Sequence, residues 1–426
     1  MVINMTPEVK ERIEQIRHGI VPEGYKKTKS GIVPADWKEF TIGQCLERVE
    51  RPVDVQADEM YTQIGIRSHG KGLFYKEPVT GASLGNKAVY WVEPDCFVLN
   101  IVFAWEQAVS KTTQKEVGMI GSHRFPMYRP IDGRVDVDYL ITYMLTKRGK
   151  DILEAASPGG AGRNRTLGQD RFMKSKITLP SVEEQRRIAE TLTAQNKTIE
   201  LKETLLAEKQ SQKKYLMQHL LTGKKRLPGF SSEWRNVKLN EVLVERKEKN
   251  ANQDHRICSV AVQKGVVDQI EHLGRSYAAA DTSNYGVAHY GDIIYTKSPT
   301  GDFPYGIIKQ SHMNEDVAVS PLYGIYEPIC YEMGYILHTY FSYAVNCSNY
   351  LTPIIQKGAK NTINITNDVF VSKKLYLPMD KAEQKALAAL FVEADNEIEL
   401  LRQSFEQEKQ KKKALMQLLL TGIVRV

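Results

Sequence analysis

Two segments of the chain carry apolar residues in steps of four and three. Leu387, Phe391, Ala394, Ile398, Leu401 and Phe405 form one such seam, the spacing of a helix that buries a single stripe. Ile188, Leu192, Gln195, Ile199, Lys202 and Leu206 keep the same register with two polar members. Neither 182–226 nor 380–426 contains a proline, so each predicts a helix of roughly 40 residues, a rod of about 60 Å. The rest of the chain reads differently. Short apolar runs at 96–104, 257–262, 292–296 and 322–326 predict strands. One helical stretch accompanies each set, at 137–156 and 333–350. Near the N-terminus, Thr6-Pro7 opens a further helix and Gly19 closes it.

The two helical segments are copies. LMQHLLTG at 216–223 returns as LMQLLLTG at 415–422, 199 residues later. The same shift carries Gln185 onto Gln384, Ala189 onto Ala388, Lys213-Lys214 onto Lys412-Lys413 and Arg226 onto Arg425. The intervening regions echo each other more faintly. Trp37 and Trp234 open them, Leu179-Pro180 and Leu377-Pro378 close them, and Asp95 with Val98 matches Asp292 with Tyr295 in separation. The expected architecture is α/β: two similar mixed α/β domains separated by two long antiparallel, coiled-coil-like helices, with an internal pseudo-two-fold repeat. The divisions are an N-terminal helical arm at 1–30, a domain at 31–180, a long helix at 181–223, a second domain at 224–378 and a second long helix at 379–426. GIVP occurs at both 19–22 and 31–34, and the passage resembles 223–228; the arm is therefore expected to imitate a rod's end and complete the symmetry.

Charge bears on how the rods pair. Residues 181–208 hold four basic and six acidic side chains, and 209–227 hold six basic and none acidic. Residues 379–408 hold three basic and eight acidic, and 409–426 hold five basic and none acidic. Acidic starts and basic ends suit each helix dipole and favour antiparallel pairing. Over all 426 residues the net charge is +7, too modest to establish a nucleic-acid partner. The longest apolar stretch, 96–105, is ten residues and includes Asn100, about half a membrane span, and the first residues lack the layout of a secretion signal. Five scattered cysteines without a CxxC pair suit a reducing, cytoplasmic setting and supply no zinc signature.

Catalytic motifs are near misses. Residues 65–72 (GIRSHGKG) resemble a phosphate loop, but Gly72 stands where Ser or Thr would hold Mg²⁺. Ser320-Pro321-Leu322-Tyr323 approaches the base-holding motif of amino-methyltransferases with one proline replaced. Glu383-Gln384-Lys385 has nuclease-like spacing, yet acidic residues belong at a helix start anyway. The nine histidines form no HxH or HxxxH pair, so no metal and no catalytic residue is expected. Nucleic-acid contact is better supported. Residues 157–176 carry five basic side chains against one acidic in a glycine-rich setting, and 357–374 carry four against one. The candidates for DNA contact are Arg67, Ser68, His69 and Lys71 in the glycine-rich hairpin, then Arg163, Asn164 and Arg165. In the second half they are Lys264, Lys297, Lys357, Lys360 and Asn361. Such side chains hold phosphates and read guanine or adenine edges.

Two variable halves, each followed by a long helix ending LMQ-x-LLTG, resemble a type I restriction–modification specificity (S) subunit. Residues 30–37 (SGIVPADW), 64–74, 224–230 and 284–299 also read like segments of that family. The resemblance implies two target recognition domains, each reading half of a bipartite DNA sequence. It implies helices that set the spacing and dock methyltransferase (M) subunits, usually two, through seam residues Ile188, Leu192, Ile199, Leu206, Leu387, Phe391, Ile398, Leu401 and Phe405. Restriction (R) subunits would join the complex, and the chain itself would be non-catalytic. S-adenosylmethionine, ATP and Mg²⁺ would then bind partner subunits, with no cofactor in this chain. A stand-alone DNA-binding scaffold, or a methyltransferase with degenerate motifs, are the other readings.

Overall fold

The computed structural model describes residues 6–28, 31–159, 165–275, 278–357 and 363–426. The chain forms two compact units, residues 1–201 with 405–426 and residues 202–404. Each contains one α/β domain, part of the long helix that follows it and part of the other long helix.

In the first unit a four-stranded antiparallel sheet runs in the order Val109–Lys111, Phe97–Leu99, Met127–Pro130, Leu46–Val49. Val137–Met144 and Lys147–Ala156 lie where one helix was expected. The break falls at Thr146, whose hydroxyl accepts from the Gly149 N–H and starts the second helix. In the second unit the sheet order is Ile308–Gln310, Ile293–Tyr295, Gly324–Pro328, Leu243–Glu245. Here too the helical stretch is a pair, Tyr331–Phe341 and Ala344–Leu351. The strand that opens each domain pairs with the one that closes it, Lys38–Thr41 with Lys176–Leu179 and Arg235–Lys238 with Lys374–Leu377.

The cores repeat as well. Phe172 packs on Phe97 and Tyr128, and Phe370 packs on Tyr295 and Tyr326. Strand register corrects one expected correspondence. Phe97 stands opposite Lys111 and Tyr128, and Ile293 stands opposite Gln310 and Tyr326. Phe97 therefore matches Ile293, and the equal spacing of Asp95–Val98 and Asp292–Tyr295 is one residue out of step. A slip of one residue changes the face of a strand. Val98 clusters with Ile64 and Ile66, while Tyr295 belongs to the main core under the helices.

The long helices, Val182–Leu220 and Lys381–Leu419, are 39 residues each. Within each unit the beginning of one runs antiparallel to the end of the other. Ile188 and Leu192 are buried with Leu419 and Leu420; Leu387 and Phe391 are buried with Met217, Leu220 and Leu221. Both polar seam members find partners. Gln195 Nε2 donates to Glu408 Oε2 at 2.7 Å in the first unit, and Lys202 Nζ donates to Ser404 Oγ at 2.6 Å in the second.

The LLTG ending has a physical reason. Gly223 and Gly422 take φ of 68° and 71°, the left-handed cap that glycine adopts without strain. A Cβ on Gly422 would lie 2.5 Å from Pro34 and 2.9 Å from Trp37, and one on Gly223 2.8 Å from Tyr376. Three residues beyond each glycine an arginine forks onto a buried glutamate at the start of the opposing helix. Arg425 reaches Glu184 at 2.5 and 2.7 Å, and Arg226 reaches Glu383 at 2.7 and 2.6 Å. Glu383 also accepts from Trp234 Nε1 at 3.0 Å, so the nuclease-like trio is part of a helix joint. Gln185 and Gln384 donate to Pro180 and Pro378 carbonyls at 3.0 and 2.8 Å, tying each helix to the strand before it.

The N-terminal helix spans Pro7–Arg17, with Thr6 as its N-cap. The arm does not replace a rod's end, because residues 418–426 fill that place themselves. It packs on them instead: Arg12 donates to the Ile423 carbonyl at 2.7 Å and Tyr25 to the Gly422 carbonyl at 2.8 Å. Among the described residues no helix is long and apolar enough to cross a membrane.

Candidate nucleic-acid interface

The glycine-rich segment of the first unit is the turn of a hairpin between Ile64–Ile66 and Leu73–Tyr75, with no helix following as a phosphate loop requires. Three features fix its shape. The Arg67 N–H donates to the Gly72 carbonyl at 3.0 Å and its guanidinium to the Leu73 carbonyl at 2.6 Å. His69 sits at φ 60° and Gly70 at 63°. A Cβ on Gly70 would come within 2.5 Å of Leu145, which holds the turn against the corner between the paired helices.

A second loop, residues 100–108, clamps this turn. Its 3-10 turn Ala104–Glu106 accepts from His69 N–H at the Glu106 carbonyl, 2.8 Å, and from Ser68 Oγ at the Glu106 carboxylate, 2.7 Å. Gly70 N–H donates to the Gln107 carbonyl at 3.0 Å, and Gln107 Nε2 in turn reaches the Met144 carbonyl at 2.9 Å. Trp105 donates its indole N–H to the Val102 carbonyl at 3.0 Å. On its ring lies the Arg165 guanidinium, 5.6 Å from the centroid, within cation–π range. Arg165 pairs with Gly159 across a third loop.

The second unit repeats this arrangement of loops. Its hairpin, Arg256–Ala261 with Gly265–Asp268, exposes Lys264 at the turn. The loop at 296–307 follows Ile293–Tyr295 as 100–108 follows Phe97–Leu99. The hairpin Gln356–Lys357 with Ile363–Asn364 stands where Gly159 pairs with Arg165. The eight described candidates for DNA contact, Arg67, Ser68, His69, Lys71, Arg165, Lys264, Lys297 and Lys357, thus fall on these repeated loops.

Individually they differ. Lys71 and Lys264 are exposed, whereas Arg67 braces its own hairpin and lies over Phe74 at 5.1 Å. Ser68 is engaged by Glu106. Lys297 turns inward, donating to Asn367 Oδ1 at 2.5 Å, while Asn367 donates to Glu245 at 2.5 Å. Burial holds the Lys297 ammonium below the ordinary lysine pKa, against the pull of Glu245. Lys297 is thus a brace for its loop in this structure. Arg163, Asn164, Lys360 and Asn361 lie outside the described residues, and Lys357 is described only as part of its strand.

Of the seam residues, Ile188, Leu192, Leu387, Phe391 and Ile398 are buried, and Ile199, Leu206, Leu401 and Phe405 partly so. Within each unit the buried seam side chains are taken up by internal packing, and the large apolar residues left exposed on the rods are Leu201, Leu205, Tyr215 and Leu400. Charge patterning pointed to Arg165 but missed Trp105, Glu106 and Gln107, since nothing in a short apolar loop announces that it will clamp a hairpin some forty residues earlier. Ser320–Tyr323, the methyltransferase-like motif, is a turn between two strands with Leu322 exposed.

A duplicated α/β domain followed by a capped long helix defines a repeated structural module. Residues 34–209 match the family described as the type I restriction modification DNA specificity domain. A relative in Methanocaldococcus jannaschii, the type I restriction enzyme MjaVIII specificity subunit, is 24% identical over 95% of this chain and 96% of its own. Two solved structures share the fold. The HsdS subunit from Thermoanaerobacter tengcongensis has a TM-score of 0.52 at 17% identity, covering 92% of this chain and 98% of that one. The type I S subunit from M. genitalium has a TM-score of 0.53 at 12% identity, covering 90% and 96%.

Proposed function

We propose that this chain is the DNA-recognition subunit of a type I restriction–modification complex and that each α/β domain reads one half of a bipartite target. The observation that carries this reading is the repeated triplet of loops bearing basic side chains, which in the first unit sit on a backbone clamped by hydrogen bonds. Preorganised loops of that kind suit entry into a major groove. Lys71 and Lys264, with Arg163, Asn164, Lys360 and Asn361, supply the phosphate and base contacts. The long helices set the distance between the half-sites and dock two M subunits. Because the seam is occupied by internal packing, the docked subunits meet the outward faces of the rods. Methylation with S-adenosylmethionine belongs to M, and cleavage with ATP and Mg²⁺ to R, in the cytoplasm. The test is to incubate the chain with duplex DNA and labelled S-adenosylmethionine, with and without M. Methylation at a bipartite adenine site only when both chain and M are present supports the reading. Methylation by the chain alone, or no gain over M alone, overturns it.

A further inference from the structure

Arg165 differs from the other described basic residues of the first unit's loops. Arg67 donates into its own hairpin, and Lys71 is exposed on a turn. The Arg165 guanidinium instead lies on the Trp105 ring, half-buried, with its backbone pinned by the pairing to Gly159. Among the described residues no carboxylate or carbonyl takes its N–H groups. Stacking fixes the plane of a guanidinium and leaves its donor edge available. An immobilised, planar pair of donors matches the O6 and N7 acceptors of guanine.

The surroundings disfavour a phosphate at this place. Glu106, next to Trp105 in the same 3-10 turn, is held on the Ser68 hydroxyl at 2.7 Å. A carboxylate beside the stack repels a phosphate and tolerates a base edge, where it can accept from an exocyclic amine. The second unit has isoleucine, Ile363, at the position that pairs six residues from Lys357 as Arg165 does from Gly159. Among the described residues the device therefore belongs to one domain only.

We propose that Arg165 reads one guanine in the half-site of the first domain and that Trp105 is its positioning residue. This rests on the DNA-recognition reading above. The complex of full-length chain with its M subunit is used to select preferred duplexes from a random library, for the wild type, Arg165→Lys, Trp105→Phe and Trp105→Leu. If the wild type selects no sequence, the DNA-recognition reading itself fails. If it does, Arg165→Lys is expected to lower the preference for guanine at one position of one half-site by roughly 5- to 150-fold, the range of a bidentate contact. The other half-site and binding to non-specific DNA should be unchanged. Trp105→Leu should relax the same position and Trp105→Phe should retain it. Replacing that guanine by 7-deazaguanine, which lacks N7, should weaken the wild type and have no further effect on Arg165→Lys. A uniform loss over all sequences would make Arg165 a phosphate contact and overturn the proposal, as would an unchanged preference. Relaxation by Trp105→Leu at a different position from Arg165→Lys would remove Trp105 from the role.

Discussion

At the scale of single residues, the glutamate–arginine forks are the points where a small change has the largest expected effect. Glu383 is almost wholly buried, and its charge is met by Arg226 and the Trp234 indole. Removing one partner of such a pair leaves a charge in the core. Arg226→Ala should therefore destabilise the chain by about 3 kcal/mol, toward the low end of that class because the arginine is partly exposed. Denaturant unfolding measures it, and a change below about 0.5 kcal/mol would show the fork to be dispensable. Lys309 offers a second prediction. It is buried, donates to Ser342 Oγ at 2.9 Å, and burial lowers its pKa to about 8 from the ordinary 10.5. On unfolding this amine takes up a proton between those values, so its own contribution to stability rises with pH from about 8 to 10.5 and is flat below. The whole effect is about 3 kcal/mol. The stability of wild type relative to Lys309→Met should therefore grow by about 2–3 kcal/mol between pH 8 and pH 10, measured by unfolding both proteins at each pH, and a difference that does not change with pH would contradict this.

At the scale of elements, the helix ends explain the most specific motif in the chain. LLTG is a stop signal whose glycine must be both left-handed and small, since Trp37 or Tyr376 occupies the space a side chain would take. Gly422→Ala should lower stability by about 1–2 kcal/mol from the backbone alone, and more if Trp37 is displaced. A melting temperature unchanged from wild type would contradict this. The heptads marked the buried stripe correctly, and the two polar seam members proved to be tied across the helix pair. What the pattern could not reveal was the second partner of each stripe. Ile188 and Leu192 also complete the core of the first domain, because the start of each long helix is packed against the domain it leaves. The short strands were harder. Three-residue strands leave little periodicity to read, and their register depends on neighbours far along the chain, which is why the Asp95–Asp292 match slipped by one.

At the scale of the whole molecule, two predictions follow from repetition. On the proposed function, replacing residues 37–179 by the corresponding domain of a type I specificity subunit should change one half of the methylated site and leave the other intact. A methylation map reads the outcome, and a change in both halves would contradict modular recognition. Inserting the same number of residues into both long helices should alter the gap between the half-sites without altering their sequences. A changed half-site would show that the helices do more than set distance.

The duplication, the helices and their antiparallel order were legible in the amino-acid sequence, because periodicity, capping and charge act between near neighbours or recur at a fixed shift. So was the location of the basic loops, since charge and glycine content are local properties. Tertiary structure decided which of those residues are available. Lys297 turns inward, Arg67 braces its own turn, and Arg165 is laid on a tryptophan that no local pattern links to it. These outcomes depend on contacts between segments tens of residues apart, where packing and hydrogen-bond geometry choose among side chains that look alike in sequence.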